Sequence, residues 1–502
     1  MVLQFFFVYV IIYIIIYLTW ERRSPVFVFR GHIAAGAIHE VAMDFFLISN
    51  VVSNVLLLLT SLILIHHVFF GIVGLFARKK FPETDEKLKY GIIIPARDEE
   101  TVVGNLIESI QTSNYPQDKL HVFVIAHNCT DRTAEICRSM GATVYEYNNP
   151  EECTMGYAFR YLFDRIKEDH GIENYDGFFL FNADNVVDEM FFSKMNDAFV
   201  AEGKKSVITS YRNSKNFGNN AISACYGLYF IGGSVLESRG RTVVGCSTRV
   251  QGTGYVISSD IVKDGWNYVS LTEDWEFTAD RIMNDTKIMY CDDAIFYDEQ
   301  PTLLRVTLRQ RLRWQKGHLL VCLTRLKDLV KALFRPRKKG GIKHKFSLYD
   351  ITAYILPLAI ISVCVSLISF GVSFLNPAIY ESDLAFSDFL NRTAVSLGIS
   401  FGTAYLSSFI VGVILYIKER KRIKSVSLPL KILSAVLYPF FMALSIPLEF
   451  VALFKRNVGW KTIPHNDRTK SSDLAAADGK KRVTAKKHTE EKKKVLAKGT
   501  EN

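Results

Sequence analysis

Residues 90–210 alternate short β-rich runs with helical segments, and apolar stretches long enough to cross a bilayer flank this block on both sides. The β-runs fall at 91–95, 121–126, 143–147, 178–182 and 206–210, with helical patterns at 102–112, 133–140 and 155–167 between the first four. Strands alternating with helices at this spacing predict a mixed, mainly parallel sheet covered on both faces. In such sheets a ligand sits beyond the carboxyl ends of the strands, so the loops after those ends are where chemistry is to be sought.

The flanks are of another kind. Residues 2–20 are apolar over about 28 Å, enough to span, with no basic leader and no small-residue cleavage site. Residues 45–76 close on Arg78-Lys79-Lys80, a basic stop that puts their C-terminal end in the cytoplasm. If both stretches cross, Arg22, Arg23 and Arg30 fall outside, against the charge rule. Met43 opens a run that reads as an ordinary start, so residues 1–42 read as a hydrophobic N-terminal extension dispensable for activity. Beyond Pro301, Leu304, Leu308 and Leu312 recur one helical turn apart, with Arg305, Arg309 and Arg313 on the adjoining ridge, the pattern of an interfacial helix. Residues 351–375 and 393–417 read as spans, the second stopping at Lys418-Glu419-Arg420-Lys421-Arg422. Residues 428–454 carry Pro439 and Pro447 and basic flanks, which predicts a broken interfacial or re-entrant segment. The last stretch, 465–502, is Lys-, Ala-, Thr- and Glu-rich without apolar periodicity and reads as a disordered basic tail.

This gives a transmembrane helix at 45–78, a cytosolic α/β domain at 88–300, interface helices at 301–345 and a membrane region at 346–454. The segregation explains how a chain can be 49% hydrophobic and 22% charged at once. The net charge of +10 is concentrated at 301–345, where Asp328 is the only acid, and in the tail. Beside apolar spans such charge reads as a cytoplasmic lipid-facing surface, not as a nucleic-acid site. The eight cysteines include no C-x-x-C pair and no histidine at zinc spacing, and read as reduced thiols.

Three short motifs follow in order: Asn182-Ala183-Asp184-Asn185 at the end of an apolar run, Thr272-Glu273-Asp274-Trp275, and Gln310-Arg311-Leu312-Arg313-Trp314. Taken locally each has a structural reading. The first fits a strand-end turn stabilised by Asn and Asp side chains. Ser270 to Glu273 fits a helix capping box. The third puts Gln310, Arg313 and Trp314 on one helix face, where Arg305, Arg309 and Arg311 read as lipid-headgroup contacts and Trp314 as a membrane anchor.

Together and in this order, the motifs resemble the membrane-integrated, processive family 2 glycosyltransferases, the group of cellulose synthase and hyaluronan synthase. The resemblance implies a GT-A nucleotide-diphospho-sugar domain. Its reaction would be inverting transfer from a UDP-sugar, UDP-glucose first and UDP-N-acetylglucosamine next, to a β-linked polysaccharide that is then secreted through an integral plasma-membrane protein. Asp184 matches the metal-binding aspartate, for Mg²⁺ or Mn²⁺, and Asn182 stands where the family has another. Asp274, within Thr272-Glu273-Asp274, matches the catalytic base, with Trp275 and Trp266 to desolvate it. Gln310 and Arg313 match diphosphate contacts, and Trp314 with Trp275 the acceptor platform. Pro95, Arg97 and Glu99 in one loop and Asn128 and Asp131 in another match uridine-binding loops, with His127 where an Asp is common. Met155 replaces a lysine that the family often has. Gly252, Thr253 and Gly254 lie where the synthases approach the acceptor terminus closely. The expected partners are the donor, the growing polysaccharide and membrane lipid. Two other readings stay open: a single-addition transferase acting on a lipid carrier, and a degenerate scaffold with Asn182, His127 and Met155 as its marks.

Overall fold

A computed structural model describes residues 33–335, 341–374, 382–423, 426–459, 463, 465–474 and 476. The first stretch read as a span, 2–20, lies outside the described residues, as does most of the tail. Eight strands form one mixed sheet in the order β3-β2-β1-β4-β7-β6-β8-β5. They are β1 (Tyr90–Ala96), β2 (Leu120–His127), β3 (Thr143–Tyr147), β4 (Gly177–Leu180), β5 (Val186–Val187), β6 (Val207–Ser214), β7 (Tyr255–Ser258) and β8 (Ile288–Asp298). β1 pairs in parallel with β2 and β4, β2 with β3, and β6 with β8, whereas β7 runs antiparallel to β4 and β6. The reversal of β7 positions the site. Leu180 at the end of β4 pairs with Tyr255 at the start of β7, so the turn leaving β4 and the loop entering β7 meet at one edge.

Alternation of apolar residues divides the core between the two sheet faces. Helices Val103–Gln111 and Phe191–Ala201 cover one face through Leu106, Ile110, Phe192 and Met195. Helices Met155–Asp169 and Glu273–Met283 cover the other through Phe159, Phe163, Phe277 and Ile282. Trp266 belongs to this second core, stacked on Phe277 at 5.2 Å with its indole N–H donated to the Tyr268 carbonyl. It is buried away from the cavity described below and does not wall Asp274 as expected; Phe277 and Phe163 stack on it and Tyr268 meets it edge-on.

Among the described residues, three helical segments, Leu47–Phe76, Asp383–Lys418 and Leu428–Phe454, are long and apolar enough to cross a membrane. They belong to helix Ile33–Phe76, helix Asp383–Lys418, and the consecutive helices Leu428–Ala443 and Ser445–Phe454. Leu62, Val395 and Phe401 are among their large apolar residues left exposed, as a lipid-facing surface requires. Residue 42 falls inside the first helix, so no connector separates the expected extension from the expected span. The span expected at 351–375 is instead two helices, Gly341–Ile355 and Leu358–Ser373, bent by 54°. Pro357 sits at the bend, where it can donate no backbone hydrogen bond. Residues 428–454, expected to be a broken interfacial or re-entrant segment, are two consecutive helices that together make a 27-residue segment of crossing length despite Pro439 and Pro447.

The two basic stops are tied into the domain. Arg78, Arg422 and the buried Arg239 converge on Asp292 of β8, at 3.2, 2.9 and 2.6 Å, and Arg239 also reaches Glu419 at 2.9 Å. The ends of two of these apolar helices are thereby fastened to the sheet through ion pairs on the buried Asp292 and Glu419.

Candidate active site

Helix Glu273–Met283 begins with no side-chain cap on Thr272, so the capping box read from Ser270 to Glu273 does not form. Glu276 accepts the Ser270 N–H instead, at 3.3 Å, which leaves Glu273 and Asp274 facing inward. They line a cavity of about 250 Å³ together with Thr272, Trp275, Asn182 and Gly252. Its far wall is one face of helix Leu304–Phe334, carrying Gln310, Arg313 and Trp314. The i, i+3, i+4 spacing therefore does bring these three to the acids.

Arg313 donates to the Leu271 carbonyl at 2.9 Å, pinning the acidic turn to this helix. Gln310 accepts from the Tyr226 hydroxyl at 2.8 Å, and Trp314 stacks on Tyr229 at 6.4 Å. Trp275 is held among Arg249, His318 and Tyr354, with its ring 4.8 Å from the imidazole of His318. Burial pushes His318 down to about 4, so it is neutral and donates to the Tyr354 carbonyl. Burial, and then the neighbouring Asp274 charge, push Glu273 up to about 8. Burial raises Asp274 too, against the opposing pull of Arg249 and Arg313. Gly252 has φ +79°, and a Cβ there would stand 3.7 Å from Asp274 Oδ2, in the space beside the carboxylate.

The rest of that loop is spent on structure. The Thr253 hydroxyl accepts from the Asn182 N–H at 2.9 Å and donates to Asn185. Gly254 packs its backbone on β4, donating to the Leu180 carbonyl at 2.8 Å. Both are buried and line no part of the cavity, so neither is the acceptor contact expected; strand entry turns them toward the sheet.

The expected donor loops lie together at the strand ends, outside this cavity. Asp98 and Asn128 adopt left-handed backbone there. Asp131 is the tie between the loops: it accepts from the Glu100 N–H at 3.0 Å and the Thr133 N–H at 3.0 Å. Burial would raise it, but Thr133 and these backbone donors hold it below the usual carboxylate range. Asn128 donates to the Asn149 carbonyl, Arg97 to the Cys153 carbonyl, and Pro95 is within β1. His127 stacks on Tyr147 at 5.5 Å.

Asp184 is buried, accepting from Asn185 Nδ2 at 3.1 Å and from the Glu299 N–H at 2.8 Å. Among the described residues no Lys or Arg pairs with it. Asn182 Oδ1 is buried without a hydrogen-bond partner. A carboxylate and an unsatisfied amide oxygen two residues apart suit a hard divalent cation, which takes oxygen ligands.

Several residues of the site carried no sequence signal. Arg249 pairs with Glu237 at 3.0 Å beneath Trp275. Arg311, expected at lipid headgroups, is buried and donates to the Phe441 carbonyl and to Ser445 Oγ at 2.8 Å. Most unexpected is the tail, where residues 465–474 are docked on the domain, not disordered. His465 bonds Glu99 at 2.8 Å, and the N–H groups of Asn466 and Asp467 bond Glu299 at 3.0 and 2.9 Å. Ser471 donates to the Val187 carbonyl at 2.8 Å, and Leu474 packs on Val186 and Tyr297. Burial pulls His465 down, but Asp184, Glu99 and Glu299 outweigh it and raise it to about 9. Composition misses this docking because it rests on hydrogen bonds and ion pairs, not on apolar periodicity. Replacing His465 by Ala leaves Glu99 buried without its partner and is expected to speed protease cleavage within 465–474 by about tenfold; unchanged cleavage would show that the imidazole does not hold the segment.

A mixed sheet with acids, an acid-bearing strand-end turn and a glycine loop gathered at one edge has the GT-A architecture of nucleotide-diphospho-sugar transferases. Residues 88–317 match the model described as "Glycosyltransferase like family 2", and this part of the chain is a family 2 glycosyltransferase domain. The chain is 26% identical over 253 residues, 48% of its length, to "Probable glycosyltransferase YdaM" of Bacillus subtilis (strain 168), and the match spans 58% of that relative. A 55-residue stretch, 11% of this chain and 14% of the relative, is 47% identical to "4,4'-diaponeurosporenoate glycosyltransferase" of Staphylococcus aureus (strain USA300). Among solved structures, the mannosyltransferase PcManGT from Pyrobaculum calidifontis, in complex with GDP-Man and Mn2+, aligns with a TM-score of 0.49 at 13% identity, over 76% of this chain and 98% of that one.

Proposed function

We propose that this chain is an inverting transferase that takes a sugar from a UDP-sugar and elongates a β-linked polysaccharide at the cytoplasmic membrane face. The observation that carries the reading is the placement of Asp274 in one cavity with Asn182, Gly252, Gln310, Arg313 and Trp314. In this reading Asp274 accepts the proton of the acceptor's terminal hydroxyl as that oxygen attacks the anomeric carbon, and the bond to UDP breaks on the opposite side. Burial raises this carboxyl above the ordinary aspartate value, which makes it a stronger base. Trp314 and Trp275 offer apolar faces to the acceptor ring, and Arg313 holds the turn that carries the base. Asp184 with Asn182 would hold Mg²⁺ or Mn²⁺, which when bound neutralises diphosphate charge.

A second reading, one-sugar transfer to a lipid-borne acceptor, draws support from Leu356, Leu358 and Ala359, which make one wall of the cavity apolar. The discriminating experiment supplies purified protein with radiolabelled UDP-sugars, UDP-glucose first, and Mg²⁺ or Mn²⁺. High-molecular-weight product from one donor is the expected result. Single-sugar products with UDP release would establish the second reading, and no turnover from any donor would remove both.

A further inference from the structure

The cavity continues past the catalytic acids to helix Ser445–Phe454, where Ser445 and Glu449 line it one turn apart. Glu449 is buried, 8% exposed, in a segment of membrane-crossing length. Among the described residues no cation or hydrogen-bond donor is paired with its carboxyl. The cations of the facing helix are committed elsewhere: Arg311 to Phe441 and Ser445, and Lys316 Nζ to the Ala452 carbonyl at 3.0 Å. A buried carboxyl without a partner opposes folding, and an ionisable group that faces a cavity from an apolar helix marks a place for a polar ligand.

The aromatic walls state the class of ligand. Trp314, Tyr229 and Phe230 line the same cavity, with Trp314 and Tyr229 nearly parallel at 14°. Apolar ring faces beside an unsatisfied acceptor fit a sugar, which presents C–H faces for stacking and hydroxyls as donors. We propose that Glu449, with Ser445, is an acceptor-carbohydrate subsite that holds the sugar behind the one being extended. This rests on the reading of the cavity as the acceptor site. The carboxylate accepts hydrogen bonds from hydroxyls of that sugar, while Trp314 stacks nearer the reacting end.

The test is oligosaccharide binding, read from tryptophan fluorescence on the full chain in detergent, with cellotetraose, chitotetraose and a polyprenyl phosphate as probes. Wild type is expected to bind one tetrasaccharide, Glu449→Leu to bind it about tenfold more weakly, and Glu449→Gln to retain most of the affinity, because the amide oxygen still accepts. In the absence of sugar, Glu449→Leu is expected to melt at a higher temperature than wild type, since it removes an unpaired buried carboxyl. Equal affinity in Glu449→Leu, a lowered melting temperature, or binding of polyprenyl phosphate alone would each overturn the proposal. Binding needs no donor, so a chain that binds tetrasaccharide through Glu449 yet turns over no UDP-sugar would sink the transferase reading and leave the subsite standing.

Discussion

Asp274→Asn is expected to lower the transfer rate by about 10²–10⁴-fold, the usual worth of a positioned base, while UDP-sugar binding is retained. Asn keeps the shape and removes the proton acceptor. The companion variant Glu273→Gln is expected to do something different. Glu273 is pushed up to about 8 chiefly by burial and then by the Asp274 charge, so its ionised form is disfavoured in the folded chain. An unfolded glutamate loses its proton near pH 4.5, so between that pH and about 8 the folded state binds more protons than the unfolded one. Stability contributed by this group is therefore full below the lower value and is lost as pH rises through the window. Glu273→Gln should flatten that loss, read from melting temperature against pH. Activity should rise with pH as the base loses its proton, because it acts deprotonated and burial raises its carboxyl above the ordinary aspartate value. A rate in Asp274→Asn within threefold of wild type would show that Asp274 is not the base.

Much of this arrangement could be read in advance, for reasons that differ by element. β1, β2 and β3 and the helices between them announce themselves because each run is short, apolar and bounded by polar turns. β5 and β7 do not: two- and four-residue strands are set by their neighbours in the sheet, not by a local pattern. The convergence of Asp274 with Gln310, Arg313 and Trp314 rested on motif order, and one helical turn of spacing carried the face correctly. Arg311 shows the limit of that argument. Its position on the same helix looks lipid-facing until helices Leu428–Ala443 and Ser445–Phe454 close over it, and nothing local to Arg311 encodes that contact. Thr253 shows another limit, since a residue in the right loop can be consumed by the backbone it stabilises. His465 and Glu449 are hardest of all, because each owes its setting to a partner or cavity far away in sequence.

Gly317→Ala is expected to cost about a hundredfold in transfer rate although it removes no chemical group, on the scale of a 1 Å misplacement of a catalytic residue. Helix Leu304–Phe334 passes so close to the acidic turn that a Cβ at 317 would stand 2.4 Å from Thr272 Cγ2 and 2.5 Å from its Oγ1. Thr272 cannot swing clear: it is buried, β-branched and the residue from which helix Glu273–Met283 starts. The strain must be relieved by moving the turn, which carries Glu273 and Asp274 with it. The Arg313 bond to the Leu271 carbonyl resists that movement and should lengthen or break. Thr272→Ala removes two of the three atoms that the new methyl meets, and it removes a hydroxyl that is buried without a partner. The double variant Gly317→Ala/Thr272→Ala is therefore expected to recover part of the lost rate, a coupling that two independent lesions would not give. Rates measured for the two single variants and the double decide it. Additive losses would mean that the turn does not take its position from the packing of Thr272 on Gly317.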